Sequence, residues 1–150
     1  MKESNYKKLG LMLLISFCIM YAVMFLNVDN SGHIYLSLTR MYMSLLMVSP
    51  MALLMLILMK KMFQNRRINQ VVVTSAIMVF TASLCLLRTQ TPVSDVQYMK
   101  AMIPHHSSAI MTSKNADIKD PEVKKLAEGI IESQEKEITQ MKKILRRISD

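Results

Sequence analysis

A chain of 150 residues suits one domain, yet half of it is apolar, tryptophan is absent and methionine occurs 16 times, a composition that an ordinary water-soluble core does not use. The formal net charge is +8, of which +7 lies in residues 1–88 and only +1 in residues 89–150. A basic excess confined to the flanks of apolar segments follows membrane topology, which removes the main support for nucleic acid as a partner.

Three apolar runs account for the composition: residues 9–27, 41–59 and 70–88, the last uncharged as far as Leu87. Each is close to the ~20 residues that a helix needs to cross a bilayer core. No small-residue cleavage site follows the first run, where the chain reads Phe25-Leu26-Asn27-Val28-Asp29-Asn30, so it is expected to remain as an anchor rather than to be removed as a signal peptide. Lys2, Lys7 and Lys8 precede the first run, and Lys60, Lys61, Arg66 and Arg67 fill the link between the second and third, whereas residues 28–40 carry only Arg40 against Asp29. The positive-inside rule then puts the N-terminus and the second link in the cytoplasm and residues 89–150 outside, in the periplasm of a bacterial inner membrane or its equivalent.

Cys18 and Cys85 fall at different depths, about 9 Å apart along aligned helices at 1.5 Å per residue, too far for a bridge; both are expected to be small apolar packers. The second run carries Met43, Met47, Met51, Met55 and Met59 at i, i+4 spacing, and Met20 and Met24 echo it in the first. A packing seam between spans explains this stripe better than a sulfur path for metal, because no intramembrane charge or polar relay marks a route.

Residues 89–94 form a linker, and residues 95–150 a helical hairpin. Ser94-Asp95-Val96-Gln97 has capping-box spacing, with Ser94 as N-cap and Gln97 reaching back. The helix is expected to run to Asn115, placed to close it in the left-handed conformation. Ala116 to Lys119 form the turn, and Asp120, Pro121 and Glu122 open a second helix that continues to about Ile148.

In that second helix Ala127, Ile131, Gln134, Ile138, Met141, Leu145 and Ile148 alternate by four and three residues, the spacing of a seam that packs along another helix. Gln134 is the polar member, either fixing register or serving as an outer partner to a metal ligand. In the first helix Met99, Met102, His106, Ala109 and Ile110 share one stripe, with His105 on its flank and Met111 nearly opposite, and Pro104 is expected to bend the helix there. A tight turn near Asp117 would set His106 level with Ile130, Met102 with Gln134, and Met99 with Glu137 or Ile138.

Thioether sulfur is a soft ligand and imidazole a borderline one, a pair that favours Cu(I) or Ag(I) over hard cations. Met99, Met102, His105, His106 and Met141 are therefore the candidate ligands, with Met111 as a further one; His105 and Glu137 stand at the rim, and Gln134 and Glu137 serve as outer partners. Neighbouring side chains on a helix point about 100° apart, so His105 and His106 are not expected to share one ion within a chain. Two helices of this size bury little core, which points to two copies pairing as a four-helix bundle.

The segment Tyr98-Met99-Lys100-Ala101-Met102-Ile103-Pro104-His105-His106-Ser107-Ser108-Ala109-Ile110, then Ile118-Lys119-Asp120-Pro121, then Gln134, Glu137-Ile138 and Met141, resembles the domain-of-unknown-function 305 family over about residues 94–146. The front end, with Tyr42-Met43 and Ser49-Pro50-Met51, is similar to its membrane-anchored branch. The resemblance implies a ferritin-like helical fold and copper or silver binding and tolerance in bacterial envelopes, with His105, His106, Met102, Gln134 and Met141 at the metal-site positions. Many members place a second Met two residues after the Ala-Ile pair, where this chain has Thr112 and carries Met111 one place earlier.

No Glu stands three residues before any His, as a di-iron bundle would need, and neither His-Glu-x-x-His nor Cys-x-x-Cys occurs. The expectation is an all-α, non-catalytic protein that captures Cu(I) or Ag(I), stores it or hands it to a copper exporter or periplasmic copper chaperone. The competing expectation is a structural hairpin that docks a partner membrane protein and keeps the His and Met residues in its core.

Overall fold

The computed structural model describes residues 2–149, with side-chain surroundings from residue 4 to residue 148. It is all-α, with five helices: α1 (Lys2–Val23), α2 (Leu38–Leu58), α3 (Arg66–Thr89), α4 (Asp95–Asn115) and α5 (Pro121–Ser149), together with a short 3-10 turn at Ser31–His33. The described residues contain no strand.

α1, α2 and α3 each hold a stretch long and apolar enough to cross a membrane, Ser4–Val23, Leu38–Leu58 and Arg66–Thr89. The first ends at Val23, four residues before the apolar run does. Large apolar side chains such as Leu14, Ile19, Leu54, Val71 and Met78 point outward along these helices, an arrangement that water penalises and lipid does not. Met43, Met47 and Met59 are also exposed, while Met55 packs against a small cluster of Leu9, Leu56 and Phe63. The stripe is therefore not the continuous packing seam that its spacing suggests, because three of its five methionines are uncovered among the described residues. Cys18 and Cys85 are both free and exposed.

The chain divides into two compact units, residues 1–22 with 39–92, and residues 23–38 with 93–150. The second unit thus contains the hairpin and also the loop that the sequence places between the first two apolar runs.

The caps of the hairpin follow local sequence. Ser94 accepts the Gln97 amide at the start of α4, and Asp120 accepts the amides of Glu122 and Val123, each at 2.9 Å, at the start of α5. Two expected details differ. The Gln97 side chain does not reach back to Ser94; its Oε1 accepts the Leu38 amide instead. Asn115 stays helical, and α4 ends on an extended Ala116 at φ −70°, ψ 134°, so the left-handed closure expected there is absent.

That extended exit explains a larger correction. Five non-helical residues rise by up to roughly 16 Å before α5 begins to descend. α5 therefore overshoots the end of α4, and His106 meets Glu137, seven residues beyond the expected Ile130. The same shift sets Met102 level with Met141 rather than Gln134.

The buried face of α4 also differs from the expected stripe. Ile103, Pro104, Ser107 and Ile110 are fully buried, whereas Met99, Met102, His106 and Ala109 are only half-buried. A helix covered by one neighbour presents one stripe, but α4 is covered by α5 and also by the loop 23–38, so its buried arc is wider and displaced. Ile103 and Ile110 join Ile138, Met141 and Leu145 of α5 in the core of the unit, and Pro104 is accommodated within an unbroken α4.

Candidate metal centre

Two polar arrangements lie on α4. The first joins His106 to α5. Its Nδ1 is 3.1 Å from Glu137 Oε2, but the approach is not aligned for N–H donation, so Nδ1 is buried without a hydrogen bond. Burial lowers the His106 pKa; the Glu137 carboxylate opposes that and His105 adds to it. Burial prevails, so the imidazole is neutral near pH 7. A neutral ring that turns a lone pair toward a carboxylate oxygen is relieved by a positive centre, a proton or a water between the two, and one that carries a proton on Nδ1 leaves a donor unused. Glu137 is itself held by Ser133, whose hydroxyl donates to Oε1 at 2.8 Å.

Three methionines belong to the apolar core of the same hairpin. Met99 and Met102 pack against the apolar cluster that contains Met141 and Ile138, the residue after Glu137. His105 is exposed, with its ring edge-on to His106 at 5.9 Å between centroids, in keeping with a rim position. Met111 is half-buried and belongs to no part of that cluster. Gln134 instead lines an open groove on the leading half of α5, with Leu126, Gly129 and Ile130; the altered register carries it away from Met102.

Among the described residues no three His, Cys, Asp or Glu side chains gather to hold a metal ion. An ion at His106 and Glu137 would therefore have to draw on thioethers.

The second arrangement centres on Ser107 and had no signal in the sequence, because residues 28–38 show neither periodicity nor motif. The fully buried Ser107 hydroxyl accepts the Asp29 amide at 2.8 Å and is hydrogen-bonded at 2.9 Å to His33 Nδ1, with the direction set by the tautomer of the ring. Burial and Lys142 lower the His33 pKa, with Asp29 opposing and Lys114 reinforcing the fall, which favours the neutral ring. Asn27 donates to Ser108 at 2.8 Å. Lys114 pairs with both Asp29 and Glu135, bonds that raise its pKa. A serine beside a histidine suggests a nucleophile, but this hydroxyl has no exposed surface; it fastens the loop to α4. A cleft of about 350 Å³ remains beside it, lined by Asp29, His33, Glu135, Thr139 and Lys142 among others.

The chain is thus an all-helical protein with three apolar helices and a hairpin that carries a half-buried histidine whose Nδ1 is without a hydrogen bond. The family described as "Domain of unknown function (DUF305)" matches residues 57–145, which extends the resemblance seen in the hairpin back through α3. The chain belongs to that family. "Uncharacterized protein L153" of Acanthamoeba polyphaga mimivirus is 40% identical over 144 residues, covering 94% of this chain and 93% of that one, and so spans the apolar helices as well. No solved structure matches the chain.

Proposed function

We propose that the protein is a membrane-anchored binder of a soft monovalent cation, Cu(I) or Ag(I), that acts in metal sequestration, tolerance or hand-off and not in catalysis. The observation that carries this reading is His106 Nδ1, buried, unbonded and 3.1 Å from Glu137 Oε2, beside a cluster that includes three methionines. His106, Met102 and Met141 would hold the ion, with Met99 beside them. His105 and Glu137 would stand at the mouth, the carboxylate offsetting the charge of the ion. When bound, the metal supplies a soft acceptor for thioether and imidazole donors.

The anchor reading rests on the length and apolarity of α1, α2 and α3 and on the Lys and Arg that flank them. These orient the hairpin to the non-cytoplasmic side, in a bacterial envelope, the setting that the family resemblance implies. A copper exporter or copper chaperone is the partner such a hand-off would require.

A titration of the full chain in detergent against a Cu(I)-specific chromogenic chelator tests the proposal. The native chain should compete for the ion, and His106→Gln with Met102→Leu should weaken binding at least tenfold, as loss of donors does at metal sites. Equal affinity in both would refute the site.

One observation favours a second reading. Met141 is 8% exposed within the core that Ile103 and Ile110 form, as a packing residue would be. On that reading the hairpin is an interaction module for a partner membrane protein, and Met141→Leu would leave metal binding unchanged. Melting curves with and without Ag(I) separate the two, since a ligand that binds only the folded chain raises the midpoint.

A further inference from the structure

α5 carries a second apolar seam that the hairpin leaves uncovered. Val123, Leu126, Ile130 and Ser133 follow one another at three, four and three residues, about 80° around the helix from the seam of Ala127, Ile131, Ile138, Met141 and Leu145 at about 100° per residue. Val123, Leu126 and Ile130 are 49%, 64% and 36% exposed, and a groove of about 550 Å³ is lined by Leu126, Gly129, Ile130 and Ser133, with Glu122 at one end. A Cβ built on Gly129 meets nothing within 4 Å. A helix in a four-helix bundle meets two neighbours on faces roughly at right angles; α5 has both faces and, among the described residues, packs against one helix, α4.

We propose that this seam is the contact between two copies of the chain, formed by antiparallel α5 helices about a two-fold axis beside Gly129. The charges flanking the seam select that occupant. When Leu126 packs against the partner's Ile130, and Val123 against the partner's Ser133, the neighbouring row sets Gly129 against the partner's Gly129 and Glu122 against the partner's Lys136. The symmetry repeats the ion pair on the other side. Glu122 and Lys136 are both exposed, and neither is in an ion pair within the chain among the described residues. A self-complementary face of this kind is what a two-fold dimer demands, since the same patch must serve on both subunits. The seam runs on toward Glu137, so pairing would bring the His106 region to the edge of the dimer.

The test uses the full chain in a nonionic detergent, with mass measured by sedimentation equilibrium. The native chain should dimerise. Glu122→Lys turns both cross-copy pairs into Lys against Lys, and Lys136→Glu turns both into Glu against Glu, so each variant alone should dimerise about tenfold more weakly. A mixture of the two variants should recover the dimer, because the lysine introduced in one copy then faces the glutamate introduced in the other, whereas a folding defect within either chain would not be repaired by mixing. Native association unaffected by either charge reversal, or a mixture no better than its components, would overturn the proposal, as would a native chain that is monomeric or a dimer held only by the apolar helices.

Discussion

His106 Nδ1 and Glu137 Oε2 stand 3.1 Å apart without a hydrogen bond between them. Burial holds the imidazole pKa below its ordinary 6.5, and His33 is lowered in the same way. The unfolded chain therefore takes up protons first as the pH falls below about 6.5, so stability is full above that value and declines in the window beneath it, until the folded-state histidines also titrate. The thermal midpoint of the metal-free chain should fall between pH 7.5 and pH 5, with a shallower fall in His106→Gln. A midpoint that rises on acidification would contradict this assignment.

Glu137 is the group that raises the His106 pKa against burial. Glu137→Gln should push the His106 titration further down, as followed by its imidazole resonances. A His106 titration that stays in place would mean that the carboxylate does not face the ring in solution.

Ser107 Oγ serves both the Asp29 amide and His33 from a fully buried position. Ser107→Ala should cost about 1–3 kcal/mol, the penalty for leaving buried partners unsatisfied. Hydrogen exchange should accelerate at Asp29 before it does in α5. Uniform acceleration across the unit would show that the loop is not fastened there.

Ile103 is fully buried among Ile138, Met141 and Leu145. Ile103→Ala should destabilise the hairpin by about 2–5 kcal/mol, and removal of the Asp120 cap by Asp120→Ala by about 1 kcal/mol. Denaturant unfolding monitored by helicity measures both. Equal effects would imply that the core is looser than the packing indicates.

Local chemistry is readable from the chain: Ser94 and Asp120 cap as their spacing suggests, and Ala127, Ile138, Met141 and Leu145 of the seam are buried where its periodicity places them. The register is not readable, because it depends on how far an extended Ala116 and the residues after it climb before α5 turns back, a quantity that no periodicity encodes. For that reason the spacing sets Gln134 beside Met102, while the fold puts it in the open groove. The cover on α4 is hidden as well. His33 lies 74 positions before Ser107, in a polar loop that reads as a simple connection, and only the fold shows that Ser107 faces it and that the buried arc of α4 widens accordingly.

X-ray absorption at the copper edge of the full chain loaded with Cu(I) tests the central claim most directly. The expected spectrum has a shell of thioether sulfur with imidazole nitrogen that loses its nitrogen component in His106→Gln and sulfur in Met102→Leu with Met141→Leu. Spectra identical across these variants, or a shell of oxygen alone, would contradict it.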